Sequence, residues 1–132
     1  MTDGLVTLPS NYPVPATIDR LRDAVTAAGL QVFARMDHAA GAREVSLELR
    51  PTELLIFGNA RGGTPLMQDK QTAGIDLPLK ALAWADESGQ TWLSYNDPAW
   101  IAERHQLGEP SAAAVQTLSG AIAKLAHAAA GA

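Results

Sequence analysis

The chain has 132 residues, a net charge of −4 and 47% hydrophobic residues, which is enough for one domain, spanning residues 1–132, with a core of its own. Its ten Lys and Arg form no run, so the clustered positive charge that nucleic-acid binding needs is missing. With no cysteine, disulfides, thiolate metal sites and cysteine nucleophiles are excluded.

Met1-Thr2-Asp3-Gly4 has neither a basic region nor a long apolar stretch, so no signal peptide is expected. No apolar run reaches the roughly 20 residues that cross a bilayer. The expectation is a soluble, cytoplasmic protein.

Gly4 to Leu8 reads as a first strand, stopped by Pro9-Ser10-Asn11-Tyr12-Pro13. Ile18, Leu21, Val25 and Ala28 share one helical face, which predicts a helix over Ala16 to Ala28 closed by Gly29. Gln31 to Asp37 alternates as a second strand. His38 to Arg43 is a turn or short helix. Val45, Leu47 and Leu49 alternate with Ser46, Glu48 and Arg50, the pattern of a short strand with one wet face.

Leu54 to Phe57 is a continuous apolar run, suited to a central strand. It ends in a glycine-rich turn, Gly58-Asn59-Ala60-Arg61-Gly62-Gly63. Thr64-Pro65 then reads as an N-cap with proline at the first helical position, opening a helix to about Thr72. Ile75 to Ala85 is the next strand, with Pro78 restricting its start to an edge or bulge. Asp86-Glu87-Ser88-Gly89 is a hairpin turn, and Thr91 to Tyr95 its partner strand. Asp97-Pro98 caps a helix to about Gln106. Pro110 opens a last helix with Val115, Leu118, Ile122 and Leu125 on one face and small residues on the other.

The predicted order is β-α-β-β-β-α-β-β-α-α. Hairpin-like strand pairs separated by helices indicate an α+β fold, an antiparallel sheet with helices on one face.

Several stretches share a recognisable set of spacings: Asp37-His38, Leu49-Arg50-Pro51-Thr52, Phe57-Gly58-Asn59, Gly63-Thr64-Pro65-Leu66-Met67, Asp76-Leu77-Pro78 and Ser94-Tyr95-Asn96. On these, the chain resembles domain-of-unknown-function family 302, small bacterial and archaeal proteins, from about Gly4 to Leu107. The resemblance implies a TBP-like α+β fold with a curved antiparallel sheet, and homodimers. It implies no activity and no catalytic residues.

Six residues are candidates for a ligand site: His38, Arg50, Asn59, Arg61, Thr64 and Asp76. His38 is either a base or ligand titrating near neutrality or a residue fixing a turn, and no partner stands at metal spacing. Asn59 to Gly63, with Arg61 adding charge, either cradles an anion or is a tight turn, and it lacks the Gly-Lys-Ser/Thr ending of a phosphate loop. Glu48, Arg50 and Glu53 form a polar floor, a solvated face or a dimer contact. Asp76 caps a turn or pairs with Arg50 across the sheet. His105 and His127 are expected at the surface, Trp84, Trp92 and Tyr95 in the core or an interface, and Met67 in the core. Three functions follow: a dimeric small-molecule binding or sensing protein, an interaction protein with no ligand, or an enzyme. The last is disfavoured, since no nucleophile–base pair, metal set or cofactor fingerprint is visible. No cofactor or metal is expected.

Overall fold

The computed structural model describes residues 4–131; Met1 to Asp3, part of the stretch read above for a signal sequence, lie outside the described residues. Five strands form one antiparallel sheet: β1 (Leu5–Ser10), β2 (Gln31–Asp37), β3 (Thr52–Gly58), β4 (Leu79–Ala85) and β5 (Thr91–Asn96). Their spatial order is β1-β5-β4-β3-β2. Five α-helices accompany them: α1 (Val14–Ala27), α2 (His38–Glu44), α3 (Ala60–Asp69), α4 (Pro98–Arg104) and α5 (Glu109–Ala130). A 3-10 turn covers Gln71–Asp76.

The first helix forms because its buried residues, Val14, Thr17, Ile18, Leu21 and Val25, fall on one stripe. Fully burying each large apolar side chain contributes about 1.5–3 kcal/mol. The stripe packs with the inner residues of α5, Ile122, Leu125, Ala126 and Ala129, over Leu55, Phe57, Ala81, Ala83, Leu93 and Tyr95 of the sheet. The small side chains of α5 let the two helices lie close together on that face. The first helix also connects the two edge strands, returning from the end of the sheet where β1 finishes to the end where β2 starts.

The α+β class and the antiparallel sheet agree with the sequence pattern, but the element order differs at one place. No strand forms over Val45–Leu49. The segment is irregular, Ser46 takes a positive φ of 62°, and Val45, Leu47 and Leu49 are exposed. The left-handed residue breaks the extended alternation that the pattern requires. Before it, the turn or short helix expected from His38 forms as α2, capped by the Asp37 carboxylate, which accepts from the Ala40 N–H at 2.9 Å.

Two further boundaries move. The fourth strand begins at Leu79, not Ile75, after a cis Leu77–Pro78 bond, and it is a central strand. Proline sits outside the ladder there, so it removes no sheet hydrogen bond. The helix after β3 begins at Ala60 and contains Gly62, Gly63, Thr64 and Pro65.

Candidate functional site

The glycine-rich segment after β3 is the first turn of α3. Its N-cap is Asn59, not Thr64. The Asn59 Oδ1 accepts from the Gly62 N–H at 2.7 Å, and its carbonyl accepts from the Gly63 N–H at 3.2 Å. Asparagine in extended geometry caps earlier than Thr64 can, and the helix therefore starts before the proline. A Cβ on Gly62 would stand 2.9 Å from Asn59 Oδ1 and 3.2 Å from Leu118 Cδ2. Glycine at this position thus allows both the cap and the close seat of α3 on α5. A second tie sits at the far end of α3. The Asp69 carboxylate accepts from the Gly108 N–H at 2.9 Å and the Ser111 hydroxyl at 2.8 Å, at the start of α5. These two bonds hold the Asp69 carboxyl below its ordinary pKa.

Between these helices and the end of the sheet lies a cleft of about 520 Å³. One wall is the turn from Gly58 to Gly63, with Met67. The second is Leu77, Pro78 and Leu79 at the start of β4. The third is α5, through Ala114, Thr117, Leu118, Ala121 and Leu125. Leu30 and Phe33, beside the start of β2, complete it. Phe33 is the extra residue at the register shift between Val32 and Ala34, and it is 47% exposed.

The lining is apolar save for Asn59, Arg61 and Thr117. Arg61 is its only ionisable residue. Thr117 donates its proton to the Ala113 carbonyl at 3.0 Å.

Of the six candidate residues, Asn59 and Arg61 line this cleft and the other four do not. His38 and Arg50 stand at the opposite end of the sheet. Asp37, next to His38, pairs with Glu53, and Arg50 Nε donates to the Ala85 carbonyl at 3.2 Å. From Thr52 to Gly58, β3 covers six steps, or about 20 Å. His38 is exposed on α2, and Thr64 is exposed within α3.

Asp76 is buried and pairs not with Arg50 but with α4. Arg104 Nη1 donates to both its oxygens at 2.9 and 3.0 Å, and His105 Nε2 lies 2.5 Å from Oδ2. The His105 ring is in turn 3.0 Å from the Thr72 hydroxyl through Nδ1. The His105 side chain is only 7% exposed, so it is not the surface residue that its helical position suggested, whereas His127 is exposed. This cluster fastens the 3-10 turn to α4.

Glu53 is also buried, and its partner is Arg35 at 2.9 Å rather than Arg50; Arg35 also reaches Asp19 of α1 at 2.7 Å. Burial opposes the charge on Arg35, but the bonds to Asp19 and Glu53 outweigh it and its pKa rises. The Arg35 hydrogen bond lowers that of Asp19. Among the described residues no group of three or more His, Asp or Glu is placed to hold a metal ion.

Trp84 and Trp92 stack across the β4–β5 pair with ring centroids 6.2 Å apart, on the face away from α1 and α5. That face also carries Met36, Leu54, Ile56 and Leu82, half-buried or exposed.

The sequence matches the family described as "Domain of unknown function DUF302" over residues 6–125. Two relatives, each called "Fluoride-specific ion channel FluC 1", come from Brucella suis biovar 1 (strain 1330) and Brucella abortus biovar 1 (strain 9-941). Both are 54% identical over 115 residues, covering 87% of this chain but only 45% and 43% of theirs. The chain therefore spans less than half the length of these relatives. No described helix of this chain is long and apolar enough to cross a membrane. The crystal structure of an uncharacterized conserved DUF302 protein from Bacillus stearothermophilus shares the fold, with a TM-score of 0.84 at 16% identity. The match covers 97% of this chain and 99% of that one.

Proposed function

The chain belongs to the DUF302 family, and on that premise we propose that it is a small-molecule binding or sensing protein whose site is the cleft between α3, the start of β4 and α5. One observation carries this reading. Three elements distant in sequence converge on an apolar concavity of about 520 Å³, within the usual range for small-molecule sites. A helix start seated by Gly62 and a stripe of small residues on α5 together keep it open.

Fluorescence titration with the neutral dye Nile red tests the proposal. The expected result is saturable enhancement that Ala121→Trp, which fills the cleft from α5, removes while the circular dichroism spectrum is kept. Ala114→Trp serves if the first variant does not fold. Enhancement unchanged in both folded variants sinks the reading.

The protein acts in this proposal as a cytoplasmic homodimer. Its lack of cysteine supports a reducing compartment. Exposed Met36, Val45, Leu47 and Leu49 support a second copy covering part of its surface.

The name of the Brucella relatives favours a second reading, in which this domain serves a membrane ion channel. In those proteins the membrane-crossing part then lies in the portion this chain does not match. Deleting the gene for this chain separates the two readings. Growth in fluoride is unchanged on the first and impaired on the second.

A further inference from the structure

We infer that the ligand of this cleft is an amphipathic carboxylate, an apolar body ending in a single anionic head held by Arg61. The inference rests on the cleft being the binding site, as proposed above, and adds the chemistry of what it takes. The walls set the body. Leu30, Phe33, Met67, Leu77, Leu118 and Leu125 offer carbon surface and no charge. A polar body would lose its water there without replacement bonds.

The polar groups set the head. Arg61 is the only charged residue of the lining, and it makes no salt bridge or side-chain hydrogen bond among the described residues. Asn59 stands two residues before it. Its carbonyl oxygen is occupied by the Gly62 N–H, which leaves the Nδ2 protons available as donors. Thr117 has already given its proton to Ala113. The donors still available on side chains are therefore a guanidinium and an amide from one helical turn. A carboxylate accepts from both, and the guanidinium matches its geometry bidentately. A cationic head would find no partner, and a neutral one would use only part of the set.

Displacement of Nile red by decanoate and by decanol, with the wild type, Arg61→Gln and Ala121→Trp, tests this. Decanoate is expected to bind about tenfold tighter than decanol to the wild type. In Arg61→Gln the two are expected to bind alike, at the decanol level, and in Ala121→Trp neither binds. Equal binding of both to the wild type overturns the inference and leaves the cleft as a site for neutral apolar ligands. So does a preference for decanoate that survives Arg61→Gln, or decanoate binding kept by Ala121→Trp. If Nile red binds but neither probe displaces it, the inference falls alone. If Nile red does not bind the wild type, the reading of the cleft falls with it.

Discussion

Gly62 and Gly63 are adjacent in one helical turn, yet the surroundings give them opposite roles. A methyl on Gly62 would press on the Asn59 cap oxygen and on Leu118. A methyl on Gly63 would stand 3.6 Å from Leu77 Cδ1, an ordinary contact. Alanine favours helix over glycine by up to about 1 kcal/mol. Gly63→Ala is therefore expected to raise the midpoint of thermal unfolding by a few degrees, and Gly62→Ala to lower it. Equal shifts in calorimetry would mean that α3 does not seat on α5 as described. The sequence displayed the pair of glycines but not which one is crowded, because the crowding depends on the Asn59 cap closing over Gly62 and on Leu118, far along the chain. The cap shows the same limit. Thr64-Pro65 has the composition of a helix start, but Asn59 reaches the free N–H groups first.

Among elements, the β4–β5 hairpin was the most legible. Its turn and its second strand follow from the pattern around Asp86-Glu87-Ser88-Gly89, whereas β4 starts four residues later than the pattern suggested and the pairing of Trp84 with Trp92 is set by the register. The turn is organised by the Asp86 carboxylate. It accepts from the Trp92 indole N–H at 2.8 Å, the Ser88 hydroxyl at 2.7 Å, and the N–H groups of Ser88 and Gln90. The indole bond leads the effects that lower its pKa to about 2. A carboxyl lowered in the folded state stabilises the fold above its unfolded value and loses that contribution as pH falls through the folded one. Asp86→Asn is thus expected to destabilise the protein at neutral pH and to flatten its stability between about pH 4 and pH 2. Urea midpoints across that range measure it, and parallel wild-type and variant curves would refute it. The segment Val45–Leu49 was misread because alternation alone cannot register a backbone turning left-handed at Ser46. In α5, Ala114, Thr117, Leu118, Ala121 and Leu125 recur at helical spacing and line the cleft, a face that cuts across the apolar stripe read from the sequence, which held Leu118 and Leu125.

At the scale of the molecule, the candidate residues scatter because the sheet has two ends. The family spacings join residues near in sequence, such as Arg50 and Asn59, that β3 holds at opposite ends. His105 and Asp76 meet although 29 residues apart, and nothing local announces it. The apolar cleft, which collects α3, β4 and α5, is at the end where β2 and β4 start and β3 finishes, while a second hollow at the other end is lined by Pro9 to Pro15, Arg50 and the β4–β5 turn. The other broad feature is apolar surface outside that cleft. If it is covered by a second copy, Leu47→Asp with Leu49→Asp is expected to shift sedimentation from dimer to monomer while Nile red binding persists. A monomeric wild type at micromolar concentration would remove the dimer from the proposal.

The placement of the first strand has a consequence for how the protein is made. Ser10 pairs with Thr91, and 80 residues separate them. At a ribosome adding roughly 5–20 residues per second, β1 waits about 4–16 s for its only neighbour in the sheet. The companion edge, β2, meets β3 far sooner. The nascent chain thus acquires one border of its sheet early and the other only once β5 has been made. Until then, the newborn chain carries β1, with Leu8 and its backbone hydrogen-bonding groups, without a partner strand, the interval in which chaperones have most to protect.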